Sequence, residues 1–301
     1  MAMRALVTGS AGFVGRHMVA ELRRRGASVV TCDPLDPDAV FFDALKLFRY
    51  DGPDKHEVFD LVVHCAATAP HRVAIDTMPM NLVEDLLLDA AMFEWAVRTG
   101  QKHVVYMSSS AAYPVRLQRK GIRMQLDEAL IDPAHPEQGD AAYGFTKLGG
   151  ERMAHVARLA GVQVTVVRPF SGYGEDQGEK WPFGAFVARA MRREDPFTIW
   201  GDASQVRDWI HIDDVVKGIL ALVDAGVVEP VNLCTGVGTS MQEMVARICA
   251  AAGYSPEISV DAGAPQGVHH RVGNPDLLHR TYVPEVSVGE GIARAIAARG
   301  K

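Results

Sequence analysis

The stretch Ala5-Leu6-Val7-Thr8-Gly9-Ser10-Ala11-Gly12-Phe13-Val14-Gly15 decides how this chain is read. An apolar strand runs through three glycines into an amphipathic run over 13–25, where apolar residues recur at helical spacing. Gly9 permits a tight turn off the strand, Gly12 lets backbone N–H groups close on a pyrophosphate, and Gly15 lets the helix pack against the strand. Phosphates would then rest at a helix N-terminus opened by Phe13 and Val14. A plain strand-turn-helix connection has the same glycines, so the flanking sequence must carry the reading.

The flanks agree. A β-branched run over 28–32 stops at Asp33-Pro34, about 20 residues past the glycine turn, where a carboxylate can take both hydroxyls of an adenosine ribose. Asp33 also reads as an ordinary turn residue before proline. No residue from 34 to 40 is basic, so a 2′-phosphate would meet Asp33 without a compensating cation, which favours NAD over NADP. Val40-Phe41-Phe42 reads as a third strand. Residues 60–64 form another buried strand, and the small side chains of Cys65, Ala66 and Ala67 after it would let a dinucleotide lie across the strand ends. His64 reads as a satisfied core histidine. A helix over 81–98 stopped by Gly100, and a strand over 103–107, continue an alternation that specifies a parallel, doubly wound α/β sheet of Rossmann type.

The whole chain is compatible with this. Its 301 residues and 48% hydrophobic content support a substantial core. A net charge of −6 without a long run of like charges argues against nucleic acid and for a small-molecule partner. Cys32, Cys65, Cys234 and Cys249 lack Cys-x-x-Cys spacing and read as free thiols in a reducing compartment. No metal site is expected. No apolar run approaches the roughly 20 residues of a membrane span, and a strand beginning so close to Met1 leaves no room for a signal peptide, so a cytoplasmic location is expected.

Two later stretches carry hydroxyl and amine chemistry. Ser108-Ser109-Ser110 ends a central strand, where hydroxyls can reach a substrate oxygen, although serine-rich turns are common on surfaces. The segment 115–139, with Pro133 and Pro136, reads as a long irregular connection, and its Arg116, Arg119, Lys120 and Arg123 as a solvated face. Tyr143-Gly144-Phe145-Thr146-Lys147 then opens a helix to about residue 160. Four residues make about one turn, so phenol and ammonium project from one face. An adjacent ammonium and a positive nicotinamide ring both favour phenolate, which makes the tyrosine a usable base. After a strand over 162–167, Pro169 and the glycines at 172 and 174 mark where the chain leaves the sheet. A helix over 182–193 and a strand over 197–200 follow. Asp213 or Asp214 is a candidate cap for the helix ending near 225. A last strand over 230–235 and a helix over 240–251 come after it.

Taken together, Thr-Gly-x-x-Gly-Phe-x-Gly at 8–15, His-x-Ala-Ala at 64–67, Ser-Ser-x-x-x-Tyr at 108–113, Tyr-Gly-x-x-Lys at 143–147, Arg-Pro at 168–169 and Arg-Asp-x-x-His-x-x-Asp at 207–214 resemble the extended short-chain dehydrogenase/reductases. The closest likeness is to the NAD-dependent epimerase/dehydratase family. The resemblance implies Tyr143 as catalytic base, Lys147 on the nicotinamide ribose, and Ser109 on the reacting hydroxyl. It implies cofactor contacts at Gly9, Gly12, Phe13, Val14, Gly15, Asp33, Asp43, Ala44, Cys65, Ala66, Ala67, Ser108 and Pro169. It implies substrate contacts at Ser109, Ser110, Ser171, Arg207 and Arg271, with the arginines on a nucleotide-sugar diphosphate; surface salt bridges are the alternative for both.

Departures from the family pattern narrow the reaction. Sugar 4,6-dehydratases carry Thr-Asp-Glu where this chain has Ser109-Ser110-Ala111, and decarboxylases also carry Glu at the last position. Epimerases need only Ser or Thr, Tyr and Lys. Ser171 stands where Asn usually meets the diphosphate. The expectation is a nucleotide-sugar epimerase acting at C4 with tightly held NAD. A one-way NAD(P)H-dependent keto-sugar reductase is the rival enzyme, and a non-catalytic NAD-binding sensor the rival from another class. Residues 1–170 and 206–236 are expected to form the NAD-binding domain, and 171–205 and 237–301 the substrate-binding domain. A homodimer through the helices over 81–98 and 141–160 is expected from the same likeness.

Overall fold

The computed structural model of the protein describes residues 2–49, 57–68, 80–132 and 139–300, with the side chains of Asn81 and Ala141 excluded. Pro133 and Pro136 lie outside the described residues. Five strands, β1 Arg4–Thr8, β2 Ser28–Cys32, β3 Leu61–His64, β4 His103–Met107 and β5 Gln163–Pro169, share one parallel sheet with β9 Val231–Leu233, in the order β2-β1-β3-β4-β5-β9. These strands are apolar on both faces because both are covered. Ala5, Val7, Leu61, Val63 and Val105 enter one core layer, and their neighbours Leu6, Val62 and Val104 enter the other. The first layer is closed by α1 Phe13–Arg24 and by a helix over Ile212–Asp224. The second is closed by α2 Ala44–Arg49, α3 Asn81–Thr99 and α4 Ala141–Leu159, through Phe48, Trp95 and Ala157 among others.

The remaining elements build a smaller unit over the carboxyl ends of the strands. A four-stranded sheet orders β10 Gly238–Ser240, β8 Val206–His211 and β12 His270–Arg271, with β6 Ser171–Tyr173 also on β8; β7 Phe197–Trp200 pairs separately with β11 Ile258–Asp261. Helices α5 Pro182–Met191, α7 Met241–Ala251 and α8 Val288–Arg299 close a third core around Phe183, Phe197 and Trp209. The helix Ile212–Asp224 is α6.

Three expectations change. Val40-Phe41-Phe42 is not a strand: one bridge joins Phe41 to Cys32, while Val40 and Phe42 stay exposed, so only one of the three side chains gains from burial. Residues 206–211, expected in the NAD-binding domain, pair with β6, β10 and β12 instead of joining the large sheet, although Ile210 still packs into the large core. The cap of α6 is neither aspartate. His211 Nδ1 accepts from the Asp213 amide, and Asp214, fully buried, accepts from Tyr282 Oη and the amides of Glu285 and Val286, where it anchors the C-terminal segment. Helix α3 does end as expected, on Gly100 in the left-handed region at φ 69°.

Candidate active site

The glycine turn makes a cradle at the carboxyl edge of the sheet. Gly9 has φ +70°, and a Cβ there would stand 2.6 Å from the Ala66 nitrogen, so the turn is pressed against the end of β3. A Cβ on Gly15 would fall onto the Gly9 carbonyl. Helix α1 begins with Gly12 as an extended N-cap and no capping side chain, so Phe13 and Val14 head a helix end whose amides no side chain covers. Asp33, 8% exposed, accepts 3.1 Å from the Ala11 amide and 2.8 Å from the Leu35 amide. It is both a turn residue and a carboxylate poised beside the cradle, since each oxygen has a second lone pair. Asp43 accepts from the Lys46 amide and so heads α2, of which Ala44 is the first residue. Cys65, Ala66 and Ala67 follow β3, partly exposed, and burial of the Cys65 thiol pushes it up to about 12.

The serine turn and the Tyr143 helix are brought together by backbone. The Asp140 amide donates 2.8 Å to the Ala111 carbonyl, and a Cβ on Gly144 would fall onto that same carbonyl. Only glycine beside Tyr143 lets α4 approach the turn this closely. Ser109 caps the short turn Ser110–Ala112 through its Oγ, which accepts from the Ala111 amide. Ser108 faces elsewhere: its Oγ donates 2.5 Å to Glu151, which also takes a bidentate pair from Arg168. The hydroxyl proton is thus committed to Glu151, which leaves the Ser108 oxygen only as an acceptor. Lys147 is 4% exposed, and its Nζ stands 5.8 Å from the Tyr143 ring centre and 5.3 Å from that of Tyr106. Burial opposes the ammonium, but Asp89, Tyr143 and Asp85 outweigh it and hold Lys147 above the usual lysine range.

Among the residues expected at the substrate, Arg207 and Arg271 are direct partners in the β8–β12 register. Arg271 Nε donates 2.6 Å to Gln118 Oε1 and its Nη2 donates 2.8 Å to Asp140, the N-cap of α4. Arg207 Nη1 donates to the Val206 carbonyl. Ser171 opens β6 opposite Trp209, and Pro169 ends β5 opposite Leu233. Ser110 is buried in its turn. Neighbouring Asp208, fully buried, accepts from Thr235, Gly236 and Gly273 and ties three segments together.

Comparison with known proteins decides what carries this arrangement. The family model described as NAD dependent epimerase/dehydratase family matches residues 5–234. The chain belongs to that family. Family members similar to it include dTDP-4-dehydro-6-deoxy-D-allose reductase of Streptomyces bikiniensis, 28% identical over 93% of this chain and 89% of the relative. GDP-mannose 3,5-epimerase of Arabidopsis thaliana is 26% identical over 96% of this chain and 80% of its own length. The solved structure of MoeE5 in complex with UDP-glucuronic acid and NAD is 26% identical, with a TM-score of 0.84 over 99% of each chain.

The family is NAD-dependent, and the residues here fit the cofactor. The uncapped N-terminus of α1 and the glycine positions that a Cβ would block are what a diphosphate requires. Sequence reasoning quoted Gly144 without its packing role and missed Gln118, Asp140 and Glu151, and also Asp85 and Asp89 on α3. Gly144 was readable, since glycine near the start of a helix asks for a reason. The others act through partners distant in sequence. No helix among the described residues is long and apolar enough to cross a membrane.

Proposed function

We propose that this family member is a nucleotide-sugar epimerase that inverts C4 through a 4-keto intermediate. The observation that carries the reading is the Tyr143–Lys147 pair set against a serine turn with no carboxylate at Ser110 or Ala111. Elimination of water needs an additional acid and base at that turn, whereas epimerisation needs one residue that takes a proton and gives it back. Tyr143 removes the proton of the sugar hydroxyl and later returns it. Ser109 holds that hydroxyl, and Lys147 favours the phenolate and holds the nicotinamide ribose. NAD, when bound, supplies the acceptor and donor of the hydride. Gly9, Gly12, Phe13, Val14 and Gly15 hold its diphosphate, Asp33 its adenosine ribose, Asp43 and Ala44 its adenine end, and Cys65, Ala66, Ala67 and Pro169 line its path. Arg207 and Arg271 take the substrate diphosphate, with guanidinium geometry suited to it; Ser110 and Ser171 line the sugar.

The deciding experiment is an assay of purified protein with UDP-, dTDP-, GDP- and ADP-sugars. Interconversion of one C4 pair without net consumption of cofactor is the expected outcome, and inertness across the panel despite bound NAD counts against it. Tyr143→Phe is expected to lose turnover, by at least about 100-fold, while NAD binding measured by fluorescence is retained. Equal activity in that variant removes Tyr143 from the mechanism.

One observation favours a second reading: the Streptomyces bikiniensis relative is a dTDP-4-keto-sugar reductase by name. A reductase would consume NADH or NADPH stoichiometrically with a 4-keto sugar, and the epimerase would not. The protein also acts, in our reading, as a homodimer. What supports it is that Val83 and Leu87 on α3, and Phe145, Val156 and Leu159 on α4, are large apolar side chains left exposed on two helices that pack together. Its four free thiols fit a reducing, cytoplasmic setting.

A further inference from the structure

A continuous chain of buried polar groups runs beneath the Tyr143–Lys147 pair. The Ala66 amide donates to Thr8 Oγ1, which stands 2.8 Å from His64 Nδ1. His64 Nε2 stands 3.2 Å from Asp89 Oδ1, and Tyr106 Oη donates 2.6 Å to Asp89 Oδ2. A carboxylate only accepts, so His64 carries a hydrogen on Nε2 and donates it to Asp89. Lys147 lies on the face of the same Tyr106 ring whose hydroxyl ends on Asp89. His64, Asp89, Tyr106 and Lys147 are all at most 4% exposed. Helix α4 is shaped to admit this arrangement: a Cβ on Gly150 would fall onto the Tyr106 phenol.

Other groups also face Lys147, and Tyr143 and Asp85 add to the support that Asp89 leads. From α3, Asp85 is also buried; burial pushes its carboxyl up despite two hydrogen bonds from Thr68, and its Oδ2 has no hydrogen-bond partner. From the end of β3, burial keeps Cys65 a thiol. From α4, Glu151 is held by Arg168 and Ser108. Tyr143 faces Lys147 from the same helix, and Tyr106 from β4 is pushed well up by burial. Asp89 is different: burial pushes it up, but His64, Lys147 and Tyr106 outweigh burial and leave it below the usual carboxylate range.

We propose that Asp89 is a positioning residue acting through Lys147: its carboxylate, clamped by His64 and Tyr106, is the counter-charge that keeps the buried ammonium protonated beside Tyr143. For its catalytic consequence this rests on the reading of Tyr143 as the base. Without Asp89 the largest opposition to burial at Lys147 is gone, the ammonium holds its proton less firmly, and Tyr143 loses part of the cationic support that favours its phenolate.

The test is an ultraviolet difference titration of the Tyr143 phenolate, taken as the signal lost in Tyr143→Phe, with no sugar present. Asp89→Asn is expected to raise the pH midpoint of that signal by about 1 unit or more. Asp85→Asn, which removes a carboxyl that burial pushes up and that supports Lys147 less than Asp89 does, is expected to raise the midpoint by less than Asp89→Asn; an equal or larger rise overturns the proposal. In a Lys147→Met background, Asp89→Asn produces no further rise. A folded Asp89→Asn whose midpoint stays or falls overturns the proposal. Should that variant not fold, thermal unfolding of Asp89→Asn/Lys147→Met is the second measurement. The double variant is expected to be more stable than Asp89→Asn alone, because both members of the pair are gone; equal or lower stability overturns the proposal. Retained turnover in Tyr143→Phe would instead refute the base assignment, and the unfolding comparison would still report the Asp89–Lys147 coupling.

Discussion

Single residues show how far burial can turn one amino acid to two uses. Asp85 and Asp89 are one helical turn apart on α3, yet their surroundings push them in opposite directions. Asp89 receives hydrogen bonds on both oxygens, whereas Asp85 leaves one oxygen without a partner. A carboxyl raised in the folded state contributes stability that is complete below its unfolded value, near 4, and is lost as pH rises through the folded value. Asp85→Asn keeps an acceptor for Thr68 and cannot ionise. Its thermal stability relative to the parent should therefore increase as pH rises above about 4, and level off once Asp85 of the folded parent has ionised. A difference that is flat with pH would show that Asp85 titrates alike in both states. Neither aspartate was legible beforehand, because a polar residue in an apolar helix pattern does not declare its partner; Tyr143 and Lys147 were, because their spacing alone places them on one face.

Among elements, α4 carries the clearest conflict between local propensity and packing. Gly149 and Gly150 sit in the middle of a 19-residue helix, where each weakens the helix by about 1 kcal/mol relative to alanine. Their surroundings differ. A Cβ on Gly149 would meet only the tip of Leu86, at 3.2 Å, whereas one on Gly150 would collide with the Tyr106 phenol. Gly149→Ala should be neutral or stabilising by up to about 1 kcal/mol, and Gly150→Ala should destabilise by about 2–3 kcal/mol. Urea denaturation midpoints of the two variants check the contrast, and equal behaviour would mean that Tyr106 can move aside. The sequence announces such a helix by its apolar period and says nothing of the ring that passes beneath it.

The whole molecule places the cradle and the serine turn at one edge because the parallel strands of the large sheet end there, and the paired arginines are carried separately by β8 and β12 of the smaller sheet. Arg271 is joined through Asp140 to the start of the Tyr143 helix, so the proposed grip on a substrate diphosphate and the position of the phenol would share a support. The outer faces of α3 and α4 expose Leu87 and Phe145 among charged residues such as Glu84 and Arg152. If they join two copies, Leu87→Arg combined with Phe145→Arg should halve the mass measured by light scattering, with the far-ultraviolet dichroism unchanged. A wild-type protein already monomeric at micromolar concentration would remove the dimer.

What the amino-acid order determined by itself was whatever depends on near neighbours. The alternation of strands and helices, the glycine turn at Gly9, Gly12 and Gly15, the carboxylate at Asp33 and the one-turn spacing of Tyr143 and Lys147 are all properties of period or short spacing. Only the tertiary structure decided where Ser108 points, which strands β8 joins, what holds Arg271, and that Asp89 answers the charge of Lys147. Those outcomes depend on side chains from strands and helices far apart along the chain. Burial obliges each polar group there to find a partner, and which partner it finds is set by how the layers stack.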